Sequence, residues 1–340
     1  MQCTLYIPHL LPPRELGESL WQTVDAPQLK TLLARSAWTT NATNDPAACL
    51  CRLFGVARQQ DWPLAPLLAH YENVRADSGY WLCATPVHLE TRRNALVLTD
   101  PASLAVSAAE SAAFAAMLAD HLRAENVTLH TPRPGHWFLH CDLPPTMTTT
   151  SLAAATGRDV RLLLPQGADS ARWHRILTEI QMLLHAHPAN DARESSGHLP
   201  VNSVWLWGGG TLPEPASATV PFAAAWSDNP AVRALAHYRG CRLGTPPERM
   251  APDTVEKLEG NAHLYSLETL EMVLRQKDAQ AWNNAVTVLN RDWFIPLMNA
   301  LKSQSLSTLT VLSVNDTGTQ EFALRRGDIM KFWRKNNYLH

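Results

Sequence analysis

Short apolar runs and helical stripes alternate along the chain. Thr4–Ile7 (TLYI) is an apolar run stopped by Pro8 and predicts a buried strand. Leu29, Leu32 and Leu33 recur at helical spacing. A second helix is expected over Pro46–Val56, ending near Gly55. Gln59–Leu67 (QQDWPLAPL) is polar and broken by proline, and reads as a surface loop. From Gly79 the pattern shifts to β-branched and aromatic runs. Tyr80–Leu89, Asn94–Asp100, Val127–His130 and His136–Asp142 read as strands. Among them, Ser107 and Glu110 have the spacing of a capping box. They open a helix with Phe114, Met117, Leu118 and Leu122 on one face. Strands, helix, then strands describe an α+β subdomain.

The connector Leu143–Ser151 is rich in Pro and Thr. A strong amphipathic helix follows, carrying Trp173, Ile176, Leu177, Ile180 and Leu184 and ending before Pro188. Asn202–Trp207 (NSVWLW) is the next strand, with Gly208, Gly209 and Gly210 as its exit turn, and Thr211–Pro221 is a loop. Ala231–Tyr238 is helical and Ala262–Leu267 extended. A long helix from Asp278 to about Leu301 carries Trp282, Leu289, Trp293 and Leu297, with a kink at Pro296. Ser307–Val314 and Glu321–Arg326 are the last strands. This alternation predicts an α/β fold with a mostly parallel sheet flanked by helices.

Composition narrows the picture. A chain of 340 residues allows about two domains, and 46% hydrophobic residues allow a large core. The formal net charge of -2 gives no footprint for nucleic acid. No apolar run approaches the length of a membrane span, so neither nucleic acid nor membrane is expected as a partner. The first residues lack a basic segment and a small-residue cleavage site, and read as the first strand instead of a signal peptide. The six cysteines are scattered without a C-x-x-C pair, which fits a reduced, cytoplasmic setting.

Candidate chemistry concentrates in Ala186–Gly210. The glycine run matches neither phosphate-loop spacing. It fits either a tight turn where another segment approaches closely or a backbone site for an anion. His185 and His187 stand two apart, and no Asp, Glu or Cys nearby completes a metal set. His187 is expected at a helix C-terminus, bonded to carbonyls. Arg193 offers a planar donor fork for carboxylate or phosphate, and Asn190 and Asn202 offer donors and acceptors. The same residues would also serve as a solvated charge and turn formers. No nucleophile elbow, H-E-x-x-H or calcium loop is present, and no catalytic residue is assigned.

His187–Gly210 (HPANDARESSGHLPVNSVWLWGGG) resembles the H-P-x-N-x-x-R…P-x-N-x-x-W-x-W-G segment of archaeal-type cofactor-independent phosphoglycerate mutases, of the alkaline-phosphatase-like superfamily. Gly79–Leu89, Leu96–Phe114 and Asn126–Cys141 resemble, in order, successive strand, helix and strand pieces of that family's inserted domain. The whole chain resembles more closely a bacterial group, the RpfE-type regulatory proteins, including the stretch Phe54–Leu67 and the C-terminal Phe332-Trp333. The resemblance implies an alkaline-phosphatase-like core from 1–76 and 211–340 and an inserted α+β domain at 77–210. It also implies ligand contacts at His187, Asn190, Arg193 and Asn202, with Trp205, Trp207 and Gly208 to Gly210 shaping the wall.

At the ends of the chain the family pattern breaks. The family's first strand ends in Asp-Gly, whereas here it ends YIPHLLPP. The loop TTNATNDPAACL lacks a well-placed serine nucleophile, Ser36 lying too early. YSLETLEMVL lacks the family's D-x-x-G-H histidine, and LSVNDTGTQ keeps Asp316 without its His. Holding two cations takes most of those ligands. The resemblance therefore implies a non-catalytic relative that binds a small phosphorylated anion or a partner protein, with no cofactor. The alternative is a divergent phosphoglycerate mutase or phosphatase using Mn or Mg, with Asp45, Asp316 and His263 as suspects. In a third reading, Arg193 and Asn202 are wholly structural.

Overall fold

The computed structural model describes residues 1–11, 17–214, 220–251, 261–275 and 278–334. Its strands are β1 (Gln2–Tyr6), β2 (Ala37–Asn41), β3 (Tyr80–Val87), β4 (Leu89–Arg92), β5 (Ala95–Leu98), β6 (Val127–Arg133), β7 (His136–Cys141), β8 (Ser203–Gly210), β9 (Ala224–Trp226), β10 (Arg242–Gly244), β11 (Ala262–Ser266), β12 (Thr308–Asn315) and β13 (Gly318–Arg325). The helices are α1 (Gly17–Thr23), α2 (Pro27–Arg35), α3 (Pro46–Leu53), α4 (Leu64–Tyr71), α5 (Ala108–Ala124), α6 (Leu152–Ala155), α7 (Ser170–His185), α8 (Pro188–Ser195), α9 (Pro230–Tyr238), α10 (Thr269–Arg275), α11 (Ala279–Leu289), α12 (Ile295–Ser303) and α13 (Arg326–Ile329). The chain divides into two compact units, Met1–Phe54 with Ser217–His340, and Gly55–Ala216.

The first unit is built on a seven-stranded sheet in the order β10-β9-β11-β1-β12-β13-β2. Neighbours from β10 through β12 run parallel; β13 pairs antiparallel with β12 and with β2. The central parallel strands β1, β11 and β12 are buried at most positions, because helices cover both faces. On one face Leu29, Leu32 and Leu33 of α2, Trp282 and Val286 of α11 and Leu297 of α12 close over Leu5, Leu309, Val311 and Phe322. On the other, α3 packs with α9, and Phe54 meets Phe222 edge-on. The expected long helix is broken into α11 and α12 by a π-helical turn at Asn290–Phe294. The wider turn precedes Pro296, whose ring would clash with a regular i−4 carbonyl.

The second unit holds a four-stranded antiparallel sheet, β6-β7-β3-β8, and a separate hairpin, β4-β5. Helices α5 and α7 cover one face with Phe114, Leu118, Leu122, Trp173, Ile176 and Ile180. The Ser107–Glu110 capping box forms as the spacing predicts. The division between units falls after Phe54, not after residue 76, because α4 packs on β3 and β8. The second part of the segment expected as a loop, from Leu64, belongs to that helix, and Leu64 to Ala69 are all buried. Pro66 is accommodated in its first turn, where a backbone N–H has no helical partner.

Candidate functional site

Within the second unit, Ala186–Gly210 forms a helix and a strand. His187 is the N-cap of α8, its Nδ1 accepting from Ala189 N at 3.1 Å, and its ring lies 4.8 Å from Phe114. The expected helix C-terminus is thus the start of the next helix. Asn190 and Arg193 lie three apart on the buried side of α8. Asn190 Nδ2 donates to Leu184 O (2.7 Å) and Val201 O (2.8 Å), and its Oδ1 accepts from Val201 N (2.8 Å). Arg193 donates to Leu199 O (2.8 Å), Glu110 Oε1 (2.8 Å) and Leu104 O (2.5 Å). Its side chain is 4% exposed. Burial pushes the Glu110 carboxyl up, but its bonds to Ser107 and Arg193 outweigh that and hold it low.

Asn202 is separate from that frame. Its amide pairs with Leu89, accepting at 2.8 Å and donating at 3.0 Å, so it continues the β3–β8 ladder with a side chain. Trp205 and Trp207 alternate to the face opposite Val204 and Leu206. Trp205 Nε1 donates to Thr150 O (2.9 Å) and Trp207 Nε1 to Thr85 Oγ1 (2.9 Å).

The three glycines are not an exit turn. They belong to β8, at a register shift opposite Trp81 and Cys83. Gly208 has φ +70°, and a Cβ on Gly210 would lie 2.6 Å from Pro63 Cβ. The run lets Gln59–Ala65 approach the strand. Three successive side chains of that approach bind backbone: Gln59 with Thr211, Gln60 with Met147 N (3.1 Å) and Asp61 with Thr149 N (3.0 Å). Burial raises the Asp61 pKa, opposed by its Thr149 bonds and the Gly209 N–H. Beside it the buried Tyr80 hydroxyl makes no hydrogen bond. Tyr80→Phe should therefore leave the unfolding free energy from urea titration within about 0.5 kcal/mol of wild type, or raise it, since no bond is lost.

Sequence spacing gave no sign of Glu72, at the C-terminus of α4. Its side chain is 3% exposed and accepts from His136 Nδ1 (2.6 Å) and Arg133 (2.5 Å) on the β6–β7 hairpin. Burial alone would raise its pKa; the two bonds prevail and lower it below the ordinary 4.5. A depressed carboxylate pKa adds stability above the ordinary value and loses it as pH falls through the folded one. Glu72→Gln should flatten the fall in urea stability below about pH 4.5, an effect absent near pH 7.

In the first unit, the carboxyl ends of the parallel strands are where an open α/β sheet places its ligands. There β1 leads to His9 at φ 59°, whose N–H donates to Val314 O at 2.8 Å. Strand β9 leads to Ser227 and Asn229. Asn229 caps α9 and donates to Glu268, which follows β11. Asp45 caps α3, accepting from Ala47 N at 3.0 Å. Burial raises the Tyr6 phenol well up, helped by Cys49, Glu268, Glu271 and Asp45, which gather near it. Asp316 is exposed in the two-residue turn between β12 and β13, and its carbonyl accepts from Asn44 at 3.5 Å. His263 is elsewhere, buried as the second residue of β11 beside Cys3 and Ala224. Among the described residues, no group of three or more His, Cys, Asp or Glu could hold a metal ion. Glu268 and Asn229 escaped sequence reading, although S-D-N-P after a strand is a cap signal.

The fold is a mixed α/β fold of the cofactor-independent phosphoglycerate mutase kind, with its mostly parallel sheet between helices. It is similar to the solved cofactor-independent phosphoglycerate mutase from Thermoplasma acidophilum, with TM-score 0.53 and 14% identity over 99% of this chain and 93% of that one. A second solved structure, of a protein from Pyrococcus horikoshii, gives TM-score 0.56 and 13% identity over 95% and 87%. No family model matches. By sequence, 71 residues are 34% identical to a Geobacter sulfurreducens protein named probable 2,3-bisphosphoglycerate-independent phosphoglycerate mutase, covering 21% of this chain and 18% of that protein. A 59-residue stretch is 34% identical to the 2,3-bisphosphoglycerate-independent phosphoglycerate mutase of Methanosarcina mazei, covering 17% and 15%. The chain thus spans under a fifth of the length of these relatives. Among the described residues, no helix is long and apolar enough to cross a membrane.

Proposed function

We propose that this chain is a non-catalytic relative of the cofactor-independent phosphoglycerate mutases, of the RpfE-type group, that binds a small phosphorylated anion in a regulatory role in the cytoplasm. The observation that carries the reading is the donor set at the carboxyl ends of the first unit's sheet. The chain after β1 runs through His9 without the aspartate that the resemblance implies there, Asp316 lies in an exposed turn, Glu268 is engaged by Asn229, and Asp45 is engaged as a cap. That set does not fit two divalent cations, and no step through a metal is derived. What remains for an anion is the amino ends of α3 and α9, which start there, with Arg233 near the start of α9.

In the same proposal, His187, Asn190, Arg193, Asn202, Trp205, Trp207 and Gly208 to Gly210 serve as the scaffold of the second unit and do not touch the ligand. Their polar groups already have partners inside that unit. Thermal shifts with 3-phosphoglycerate and inorganic phosphate test both parts. Wild type should be stabilised by at least one, and Arg193→Ala should melt lower yet keep the same shift. Absence of any shift in wild type would overturn anion binding. A shift abolished by Arg193→Ala would return that residue to the ligand.

A further inference from the structure

A surface feature of the first unit is untouched by any of this. Met330, Phe332 and Trp333 are 72%, 74% and 67% exposed, and the two rings meet edge-on at 5.2 Å. Single exposed apolar residues are ordinary, but three within four positions, two of them aromatic, are not. Basic residues flank them in the sequence. Over residues 325–334, Arg325, Arg326, Lys331 and Arg334 face one acid, Asp328, a net of +3 in a chain whose formal charge is -2. Arg325 and Arg326 are exposed.

The cluster is held in place. Arg35 of α2 donates to Ile329 O, Arg334 Nη1 donates back to Arg35 O at 3.3 Å, and Ile329 packs against the core. Asp328 bonds Lys331 Nζ at 2.5 Å and Arg325 N at 3.1 Å. The segment thus presents exposed aromatic side chains within eight positions of two exposed arginines. That combination suits a fluid acceptor needing no matching pocket: aromatic rings favour the bilayer interface, and arginines favour anionic headgroups.

We propose that Met330, Phe332 and Trp333, with Arg325 and Arg326, form an interfacial contact for anionic phospholipid bilayers. The expectation of no membrane partner came from the lack of a spanning run, which does not bear on an interfacial contact. The committed occupant is the bilayer; nucleic acid and a second copy of the chain are outcomes that would refute it.

The test is co-sedimentation of the full chain with vesicles of phosphatidylcholine alone and of phosphatidylcholine with roughly 30% phosphatidylserine. The expected result is at least about tenfold greater partition onto the anionic vesicles, weakened at about 0.5 M salt. Phe332→Ala/Trp333→Ala and Arg325→Glu/Arg326→Glu should each lower that partition by about tenfold or more. All four side chains are exposed, so the variants should fold, as circular dichroism would check; either pair alone suffices if the other does not. No binding to anionic vesicles, equal binding to both, or binding unchanged in the variants would overturn the proposal. So would variants that instead abolish duplex DNA binding or a dimer seen by light scattering.

Discussion

Arg193→Ala should lower the stability of the Gly55–Ala216 unit by about 2–4 kcal/mol, with no ligand present. The guanidinium is 4% exposed and joins three segments: Leu104 before α5, Glu110 within its first turn, and Leu199 after α8. Removing it leaves the buried Leu104 carbonyl without its donor and takes one bond each from the Leu199 carbonyl and the Glu110 carboxylate, which keeps the Ser107 N–H. Arg193→Lys should recover only part of the loss, because one ammonium cannot reproduce a three-way fork. Urea unfolding followed by tryptophan fluorescence measures this, since Trp137, Trp173 and Trp205 are buried in the unit. A loss under about 1 kcal/mol would mean that the fork is free for a ligand.

Gly209→Ala should cost about 1–3 kcal/mol by overpacking. A methyl there would run into the Tyr80 hydroxyl and lie 2.9 Å from Leu82 Cδ2. The Tyr80 ring is fixed in the β3 core and cannot turn aside. Tyr80→Phe in the Gly209→Ala background should therefore recover part of the loss, since the ring carbon Cζ and Leu82 Cδ2 still stand 2.9 Å from the methyl, while doing little alone. That coupling is read from a double-mutant cycle of urea midpoints. If the two changes add without interaction, the glycine is needed for something other than close approach.

Elements whose periodicity coincides with burial were legible from sequence. The Leu29–Leu32–Leu33 stripe, the Trp173–Leu184 stripe and the Ser107–Glu110 cap all form where spacing places them. Elements decided by tertiary contact were not. Helix α4 was masked by Pro63 and Pro66, which read as breakers although a first turn tolerates proline. Helix α8 is short and mostly polar, so only its buried Asn190 and Arg193 reveal it, and they do so through partners 6 to 89 positions away. The glycines looked like a turn because spacing cannot report an approaching segment.

Of the proposed site, the sequence offers only what the resemblance implies: an aspartate expected after β1 and histidines expected near β11 and β12 that the chain does not carry. That Asp45 and Glu268 gather around Tyr6 while His263 sits at the other end of β11 needed the parallel register, which no local pattern contains.

The most direct measurement is metal content together with phosphoglycerate mutase turnover. Purified protein is incubated with excess Mn2+, desalted and assayed on 3-phosphoglycerate. The donor set at the strand ends predicts less than stoichiometric metal and turnover no greater than a protein-free blank. Two equivalents of tightly held Mn2+ with turnover above the blank, lost on Glu268→Ala, would contradict the account and establish a divergent metal-dependent enzyme.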